Sequence, residues 1–268
     1  MPDEAVALST LGLISKAECQ ETVNRYIPPI VVEAYGGLGN RLKVLVSAMC
    51  AGADLGKDAR VIWKDSDECG AKFSDLFEAV TVPRVFVHDN LSVGYVQHEC
   101  DTKKQWDDLS GTKTVTYLKS GARFHTTADT EFVGFLKGLK PQSAIAAEVA
   151  ALGDLSAVVG VHIRSKENTV SVASSPQAAF VTAMTALPSA KFFVAADSDD
   201  VRTSLEAAFP GRIVTLAKDL KRSKTGLQDA LKDFLALSHC SQVLGSKGSS
   251  FSEMAALYGG KTLTVVTA

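Results

Sequence analysis

The pattern of hydrophobic and polar positions predicts short buried strands that alternate with amphipathic helices. The apolar run at residues 30–35 is typical of a buried strand, and apolar residues then recur at helical spacing across 42–53. The next strand candidate is 60–63, so the pattern predicts a βαβ unit. Residues 1–27 are expected to form a short amphipathic helix ahead of this unit.

The second half of the chain alternates more clearly. Strands are predicted near 158–163, 191–196, 212–216, 241–245 and 262–266. Helices are predicted near 176–187, 199–209, 226–239 and 250–258. Strands and helices of these lengths form parallel sheets covered on both faces. We therefore predict an α/β fold with two Rossmann-like lobes, residues 1–150 and 151–268.

The connecting regions are less regular. The alanine-rich segment 129–155 has a helical pattern and bridges the two lobes. The segment 65–125 holds one strand candidate at 85–87 and many polar residues typical of loops.

Charge and composition narrow the class of protein. The 268 residues carry 28 Lys and Arg against 30 Asp and Glu, which argues against binding to nucleic acid. With 46% hydrophobic residues, the chain can bury a core large enough to fold.

Cysteine usage and hydropathy bear on location. The five cysteines form no CxxC pair and are expected to be reduced thiols. No apolar stretch reaches the roughly 18 residues that span a bilayer, and the first residues lack the positive charge of a signal peptide. These features lead us to expect a cytoplasmic protein without a membrane span.

Polar residues cluster where the predicted strands end. In parallel sheets, ligands bind outside the carboxyl ends of the strands. The segments at those ends are 35–41, 64–67, 164–168, 197–200 and 245–252.

The first of these segments is a glycine-rich turn that leads into a helix. It matches neither the dinucleotide fingerprint, which needs glycine at the position of Leu42, nor a phosphate-binding Walker loop. Gly37 and Gly39 either bring backbone close to an anion or only allow tight packing of helix on strand. Asn40 can cap the helix or bind a substrate hydroxyl.

Two further segments carry candidate phosphate-binding residues. Arg164 ends a buried strand and can clamp a phosphate or form a surface ion pair, while His162 lines a pocket or lies in the core. Ser249 and Ser250 begin a helix, so they either present hydroxyl and N–H groups to an anion or cap the helix. Phe251 is expected to lie against a base or to face the core.

Acidic and basic clusters give weaker signals. The Asp-Ser-Asp triplets at 65–67 and 197–199 can hold a divalent cation, or they can be turn and helix-capping acids. The cluster 98–101 is too compressed for tetrahedral metal ligation. The basic loop 218–224 can contact a phosphate or an acidic acceptor, but a solvated face is the expectation.

Taken together, four motifs resemble the GDP-fucose-dependent fucosyltransferases. These are GGLGNRL at 36–42, HIR at 162–164, AADSDD at 195–200 and DFLALSHCSQVLGSKGSSFS at 233–252. The likeness is to the group that contains core α1,6-fucosyltransferase, the nodulation-factor fucosyltransferase and the protein O-fucosyltransferases. It implies a GT-B-like fold, inverting transfer of fucose from GDP-fucose to a glycan or protein, and no metal or other cofactor.

The resemblance also implies roles for individual residues. Arg164 would bind the β-phosphate, His162 would line the nucleotide pocket, and Asn40 would position the acceptor. The other substrate-binding residues that it implies are Gly37, Gly39, Asp197, Asp233, Ser249, Ser250 and Phe251.

The chain departs from the family pattern after the HIR motif. Arg164 is followed by Ser165 and Lys166, where relatives often have a second arginine and then Thr-Asp. The donor is therefore expected to be GDP-fucose or a related GDP-sugar. No general base is evident, and Glu33, Asp65 and Glu167 are candidates. A metal-dependent glycosyltransferase and a nucleotide- or glycan-binding module without catalysis are the alternatives.

Overall fold

The computed structural model describes residues 15, 18, 29–90, 98–99, 105–106, 116–125, 128–166 and 169–268. The helix predicted within 1–27 and the candidate base Glu167 lie outside these residues, apart from the isolated positions 15 and 18. The first lobe contains β1 (Ile30–Ala34), α1 (Leu38–Leu55), β2 (Ala59–Trp63), α2 (Phe73–Leu76), β3 (Val85–Asp89), β4 (His98–Glu99), β5 (Thr116–Ser120), α3 (Asp129–Gly138) and α4 (Ser143–Ala150).

The second lobe follows directly. It contains β6 (Val159–Ile163), α5 (Thr169–Ser174), α6 (Gln177–Thr185), β7 (Phe192–Ala196), α7 (Asp199–Ala208), β8 (Ile213–Val214), α8 (Lys224–His239), β9 (Gln242–Ser246), α9 (Ser250–Gly259) and β10 (Leu263–Val266). The predicted fold class, two Rossmann-like lobes with parallel sheets, is confirmed.

Each lobe is built around one five-stranded parallel sheet. The strand orders are β3-β2-β1-β5-β4 and β10-β9-β6-β7-β8. In each sheet two strands that are distant in sequence lie side by side, β1 beside β5 and β6 beside β9. A crevice opens at such a switch in strand order, and ligands of parallel sheets bind there.

The sequence explains why these strands are central. All five residues of β1, β6 and β7 are buried, as expected for strands with helices or loops on both faces. Helices α1 and α9 end at Gly56 and Gly260, with φ of +59° and +64°, which is the left-handed conformation that terminates helices.

The two lobes share one hydrophobic core. Buried side chains of α1 from the first lobe belong to the same cluster as those of α8 and α9 from the second. The cluster also includes Val32 of the first sheet and Val243 of the second, so it extends from one sheet to the other. An apolar interface of this kind favours a fixed arrangement of the lobes.

Helices α1 and α9 approach most closely at Gly39. A Cβ atom at this position would lie 2.8 Å from the carbonyl carbon of Ser250 and 2.8 Å from the amide nitrogen of Phe251. Both are backbone atoms, which cannot move aside without moving α9. Glycine at position 39 therefore sets the distance between the two helices.

Several local features differ from the sequence prediction. In the segment 65–125, where only the strand at 85–87 was predicted, the structure also has α2, β4 and β5. Helix α5 was not predicted, because its six residues are too few to show a period. Strand β8 has two residues because it pairs only with Phe192 and Phe193 of β7. Helix α8 begins two residues earlier than predicted, since the Ser223 hydroxyl caps it by accepting from the Gly226 N–H at 3.2 Å.

Among the described residues, no helix has both the length and the apolar character needed to cross a membrane.

Gly39→Ala is expected to lower the free energy of unfolding by about 1–3 kcal/mol, because the added methyl group forces α1 and α9 apart. Gly134→Ala is the matched control, since Gly134 also lies in a helix and its Cβ position is open space. That variant should gain about 0.5–1 kcal/mol from helix propensity. Urea denaturation of both variants and the native protein measures these free energies of unfolding. Equal stability of Gly39→Ala and the native protein would show that the α1–α9 contact tolerates a side chain at position 39.

Candidate functional site

A cavity of about 840 Å³ lies between the carboxyl ends of the two sheets. All ten of the predicted site residues line it: Gly37, Gly39, Asn40, His162, Arg164, Asp197, Asp233, Ser249, Ser250 and Phe251. They come from both lobes, and 214 positions separate the first from the last. The structure therefore brings the predicted residues together, while the role of each stays a prediction.

Arg41 is a buried residue that holds the glycine turn in place through hydrogen bonds. It is 1% exposed, and its guanidinium donates to the Gly36 carbonyl oxygen at 2.8 Å, the Lys64 carbonyl oxygen at 2.5 Å and Ser66 Oγ at 2.8 Å. Burial lowers the pKa of Arg41, although nearby acids oppose that change. Sequence analysis did not single out this arginine, whose role depends on partners 23 and 25 residues away.

Gly36 is contacted by two cavity-lining side chains. Its N–H donates to Glu68 Oε2 at 2.9 Å, and a Cβ on Gly36 would lie 2.8 Å from Asn40 Nδ2. Gly36 has φ of +81°, a conformation that suits glycine. Asn40 does not occupy the N-cap position of α1, which belongs to Gly37 and has no side-chain hydrogen bond.

Helix α9 also begins without a side-chain cap. Ser249 is its N-cap residue, yet the Ser249 hydroxyl makes no capping hydrogen bond and lies 3.4 Å from His162 Nδ1. The interpretation of Ser249 as an ordinary helix cap is therefore wrong. The starts of α1 and α9 therefore line the cavity without a side-chain hydrogen bond from their N-cap residues, and N–H groups at such helix starts can bind an anion.

His162 is a neutral, buried side chain. Its ring stacks on Phe251 with 4.8 Å between ring centres and 28° between the planes. Burial lowers the pKa of His162 to about 3, which outweighs the opposing effect of Asp197. At neutral pH the imidazole is therefore uncharged. It lines the cavity with a ring that stacks on Phe251 and ring nitrogens that can form hydrogen bonds.

Asp197 holds the turn that carries Arg164. Its Oδ1 accepts from the Ser165 N–H at 2.8 Å and the Ser165 hydroxyl at 2.5 Å, and its Oδ2 accepts from the Lys166 N–H at 3.1 Å. Arg164 Nη1 lies 3.3 Å from the same Oδ2. The Asp197 carboxylate, predicted to bind substrate, is thus already hydrogen-bonded to the protein and orients Arg164, the candidate phosphate-binding residue.

The acidic triplets do not assemble a metal site within the described residues. Asp65 and Asp67 do not line the cavity, and Asp199 pairs with Arg202 at 3.1 Å. No group of three or more His, Cys, Asp or Glu side chains in the described part of the chain is arranged to hold a metal ion.

Lys218 and Asp233 form a buried ion pair in the cavity wall. Lys218 Nζ lies 2.5 Å from Asp233 Oδ2, and the two side chains are 8% and 6% exposed. Burial raises the pKa of Asp233 to about 6 in spite of Lys218. The second oxygen, Oδ1, is buried and has no hydrogen-bond partner among the described residues. The expectation that the whole basic loop is solvated is therefore wrong for Lys218.

The rest of that loop connects the two lobes. We call residues 218–224 the strap. Within it, Arg222 Nη1 donates to the Glu68 carbonyl oxygen at 2.9 Å, and the Arg222 carbonyl oxygen accepts from the Gly70 N–H at 2.8 Å. Lys224 pairs with Asp75 of α2 at 2.6 Å. The strap therefore closes one side of the cavity.

Lys218→Met is expected to lower the free energy of unfolding by about 3–5 kcal/mol at pH 8, because it leaves the Asp233 carboxylate buried and unpaired. The loss should be smaller at pH 5, where protonation removes the Asp233 charge. The double variant Lys218→Met/Asp233→Asn should lose less than the two single variants added together. Urea denaturation of the four proteins tests this, and additive losses would contradict a coupled pair.

No protein-family model and no curated protein sequence matches this chain. Solved structures do match it in fold. The structure of NodZ α-1,6-fucosyltransferase soaked with GDP-fucose is 19% identical in sequence to this chain, with a TM-score of 0.65, and the match covers 86% of this chain and 92% of that one. Another matching structure is that of the fucosyltransferase NodZ from Bradyrhizobium. A variant of Arabidopsis thaliana FUT1 with GDP is 10% identical with a TM-score of 0.61, over 98% and 77%.

POFUT1 in complex with GDP is 12% identical with a TM-score of 0.57, over 89% of this chain and 98% of that one. These structures belong to the group that the sequence motifs resemble. At identities this low the likeness establishes the fold alone, and it confirms the GT-B-like arrangement. This chain therefore has the two-lobed fold seen in these fucosyltransferase structures.

Proposed function

We propose that this chain is a glycosyltransferase that moves fucose from GDP-fucose to a hydroxyl of a glycan or protein, with inversion and without a metal ion. One observation carries the proposal. Arg164, the uncapped start of α9 at Ser249 and Asp233 all line one cavity between the lobes, and Asp233 Oδ1 has no hydrogen-bond partner among the described residues. An arginine, free N–H groups and a buried acceptor suit a nucleoside diphosphate.

The diphosphate would lie against Arg164 and the start of α9. A guanidinium can donate two parallel hydrogen bonds to phosphate oxygens, and the helix N–H groups add further donors. The cavity is also lined by Lys166, Lys221 and Arg222, which favour an anionic ligand. The Ser249 and Ser250 hydroxyl groups, which belong to residues that also line the cavity, would add further donors.

The nucleoside would lie near Asp233 and His162. The unpaired Oδ1 of Asp233 is an acceptor that the protein itself does not satisfy, and a guanine N–H or a ribose hydroxyl would satisfy it. The stacked rings of His162 and Phe251 provide an apolar wall beside it. A buried acceptor with no other partner favours a ligand that has a donor at this point.

In the proposed reaction, the bond between the sugar and the β-phosphate breaks while negative charge grows on the departing GDP. Fixed donors aimed at that charge lower the barrier. Arg164 is held in place for this role by Asp197 and by the Ser246 hydroxyl, which accepts from the Arg164 N–H at 3.0 Å. No cofactor enters the proposed mechanism.

We assign the lobes separate tasks within this proposal. Residues 151–268 supply Arg164, Asp233 and the start of α9, so this lobe would bind the GDP-sugar. Residues 1–150 supply Asn40 at the opposite wall, so this lobe would bind the acceptor. The described cysteines Cys50, Cys69 and Cys240 are free and buried, in keeping with the expected cytoplasmic location.

Comparison with known structures supports the choice of donor. NodZ was soaked with GDP-fucose, and FUT1 and POFUT1 were solved with GDP. These proteins share the fold of this chain, and the ten cavity residues derived from the sequence motifs line one cavity here.

Titration with GDP in EDTA is expected to show binding, and titration with UDP none. Arg164→Ala should weaken GDP binding by about 1.5–3 kcal/mol, because it removes a charge-assisted phosphate contact. Arg202→Ala is the matched control, since Arg202 pairs with Asp199 and Glu206 on α7, away from the cavity. Calorimetry measures all four affinities.

Three results would contradict the proposal. Equal GDP affinity for the native protein and Arg164→Ala would remove Arg164 from the phosphate site. Binding that needs added manganese would favour the metal-dependent alternative. GDP binding without turnover of GDP-fucose on any acceptor would favour a binding module.

GDP-fucose affinity is expected to fall as the pH drops from 7 to 5. Asp233 loses its charge as the pH falls through about 6, and a protonated carboxyl is a poorer acceptor for a ligand N–H. His162, with a pKa of about 3, stays neutral over this range. Asp233→Asn should bind more weakly at pH 7 and show no such dependence. GDP-fucose is the probe because the terminal phosphate of free GDP titrates at about pH 6, which would mask the effect of Asp233.

A further inference from the structure

We propose that Glu68 is the general base that takes the proton from the acceptor hydroxyl, an inference that rests on the proposed glycosyl transfer. Glu68 lies on the turn after β2 in the first lobe and lines the cavity that Arg164 and the start of α9 also line. Glu68 was not among the candidate bases that the sequence analysis named.

The other described carboxylates that line the cavity already accept hydrogen bonds from the protein. Asp197 accepts three hydrogen bonds from residues 165 and 166, and Asp233 pairs with Lys218 in a buried position. Asp219 accepts from the Lys221 N–H at 2.9 Å and the Ser223 hydroxyl at 3.0 Å. Each of these acids holds the protein together and belongs to the second lobe.

The candidate bases from the sequence fit less well. Glu33 lies on β1, where its Oε2 accepts from both Lys64 Nζ and the Tyr117 hydroxyl, and it does not line the cavity. Burial raises the pKa of Glu33, but these hydrogen bonds lower it overall. Asp65 does not line the cavity, and Glu167 lies outside the described residues.

Glu68 has one oxygen held and one available. Oε2 accepts the Gly36 N–H at 2.9 Å, which fixes the direction of the carboxylate. Within the described chain no group donates to Oε1. Asn40 contacts the same glycine, so a base and an amide lie side by side at the wall of the first lobe.

The turn that carries Glu68 is fixed from both lobes. Ser66 and Cys69 exchange backbone hydrogen bonds of 3.2 and 3.0 Å across it, and Arg41 Nη2 donates to Ser66 Oγ. From the other lobe, Arg222 donates to the carbonyl oxygen of Glu68 itself. A base held in this way needs little rearrangement before it acts.

The acceptor oxygen forms a bond to the anomeric carbon of fucose while its proton passes to Glu68 Oε1. The bond from that carbon to the β-phosphate oxygen breaks, and its electron pair leaves with GDP, whose charge Arg164 stabilises. The products are the fucosylated acceptor and GDP, and the proton on Glu68 returns to solvent.

The test uses water as the acceptor and measures GDP released from GDP-fucose. Glu68→Gln should reduce the rate by about 10²- to 10⁴-fold, the usual contribution of a general base. Its GDP affinity should stay unchanged, since Glu68 does not hold the nucleotide. Asp67→Asn is the matched control: it alters an acid on the same turn that does not line the cavity, and it should keep the native rate.

Chemical rescue separates catalysis from structure. Glu68→Ala with azide should release GDP faster than without it, because azide attacks the anomeric carbon with no proton to lose, giving fucosyl azide and GDP. A variant damaged only in structure would not respond. Native-like release by Glu68→Gln, or no azide effect, would overturn the role of Glu68 while nucleotide binding stands. So would native protein that binds GDP but releases none from GDP-fucose. Native protein that binds no GDP would instead overturn the proposed function.

Discussion

The close contact between the starts of α1 and α9 is the constraint on which the site depends. At Gly39 the backbone of one helix approaches the backbone of the other so closely that no side chain fits between them. The contact places two uncapped helix starts at one cavity, one from each sheet. Because the shared core lies directly behind it, the apolar packing that folds the chain also fixes the distance between the two walls of the site.

Electrostatic interactions then hold the charged groups against that framework. Arg41 binds three groups beneath the glycine turn, Asp197 orients Arg164, and Lys218 offsets the buried charge of Asp233. Polar interactions such as the buried Lys218–Asp233 ion pair contribute little net stability compared with apolar packing. Their consistent location around one cavity is better explained by the need to hold charges in defined positions than by the need to stabilise the fold.

The sequence predicted the second sheet, three strands of the first sheet and ten of the cavity-lining residues, because these depend on local pattern. It missed β4 and β5, which lie in the irregular segment 65–125. Buried runs such as 159–163 report strands covered on both faces, and the rule that ligands bind at carboxyl ends selects the residues that follow. Glu68 and Lys218 escaped prediction for a different reason. Glu68 faces the cavity through the shape of a turn, and the strap that fixes this turn is 154 residues away in the chain. In the sequence, Lys218 is one of several lysines in a basic loop, and only the tertiary packing buries it beside Asp233.

The division of labour between the lobes follows from where each kind of group lies. The described carboxylates of the second lobe that line the cavity each accept hydrogen bonds from the protein: Asp197, Asp219 and Asp233. That lobe therefore presents mainly Arg164, lysines and helix N–H groups to the cavity, beside Asp233, whose Oδ1 has no hydrogen-bond partner among the described residues. That combination suits an anion with a hydrogen-bond donor attached, as in a nucleoside diphosphate. The first lobe presents Asn40 and the free oxygen of Glu68, which suit a neutral hydroxyl that must lose a proton. A sugar held between the two walls would therefore have its leaving group on the cationic side and its nucleophile on the side of the base, the opposed arrangement that transfer with inversion requires.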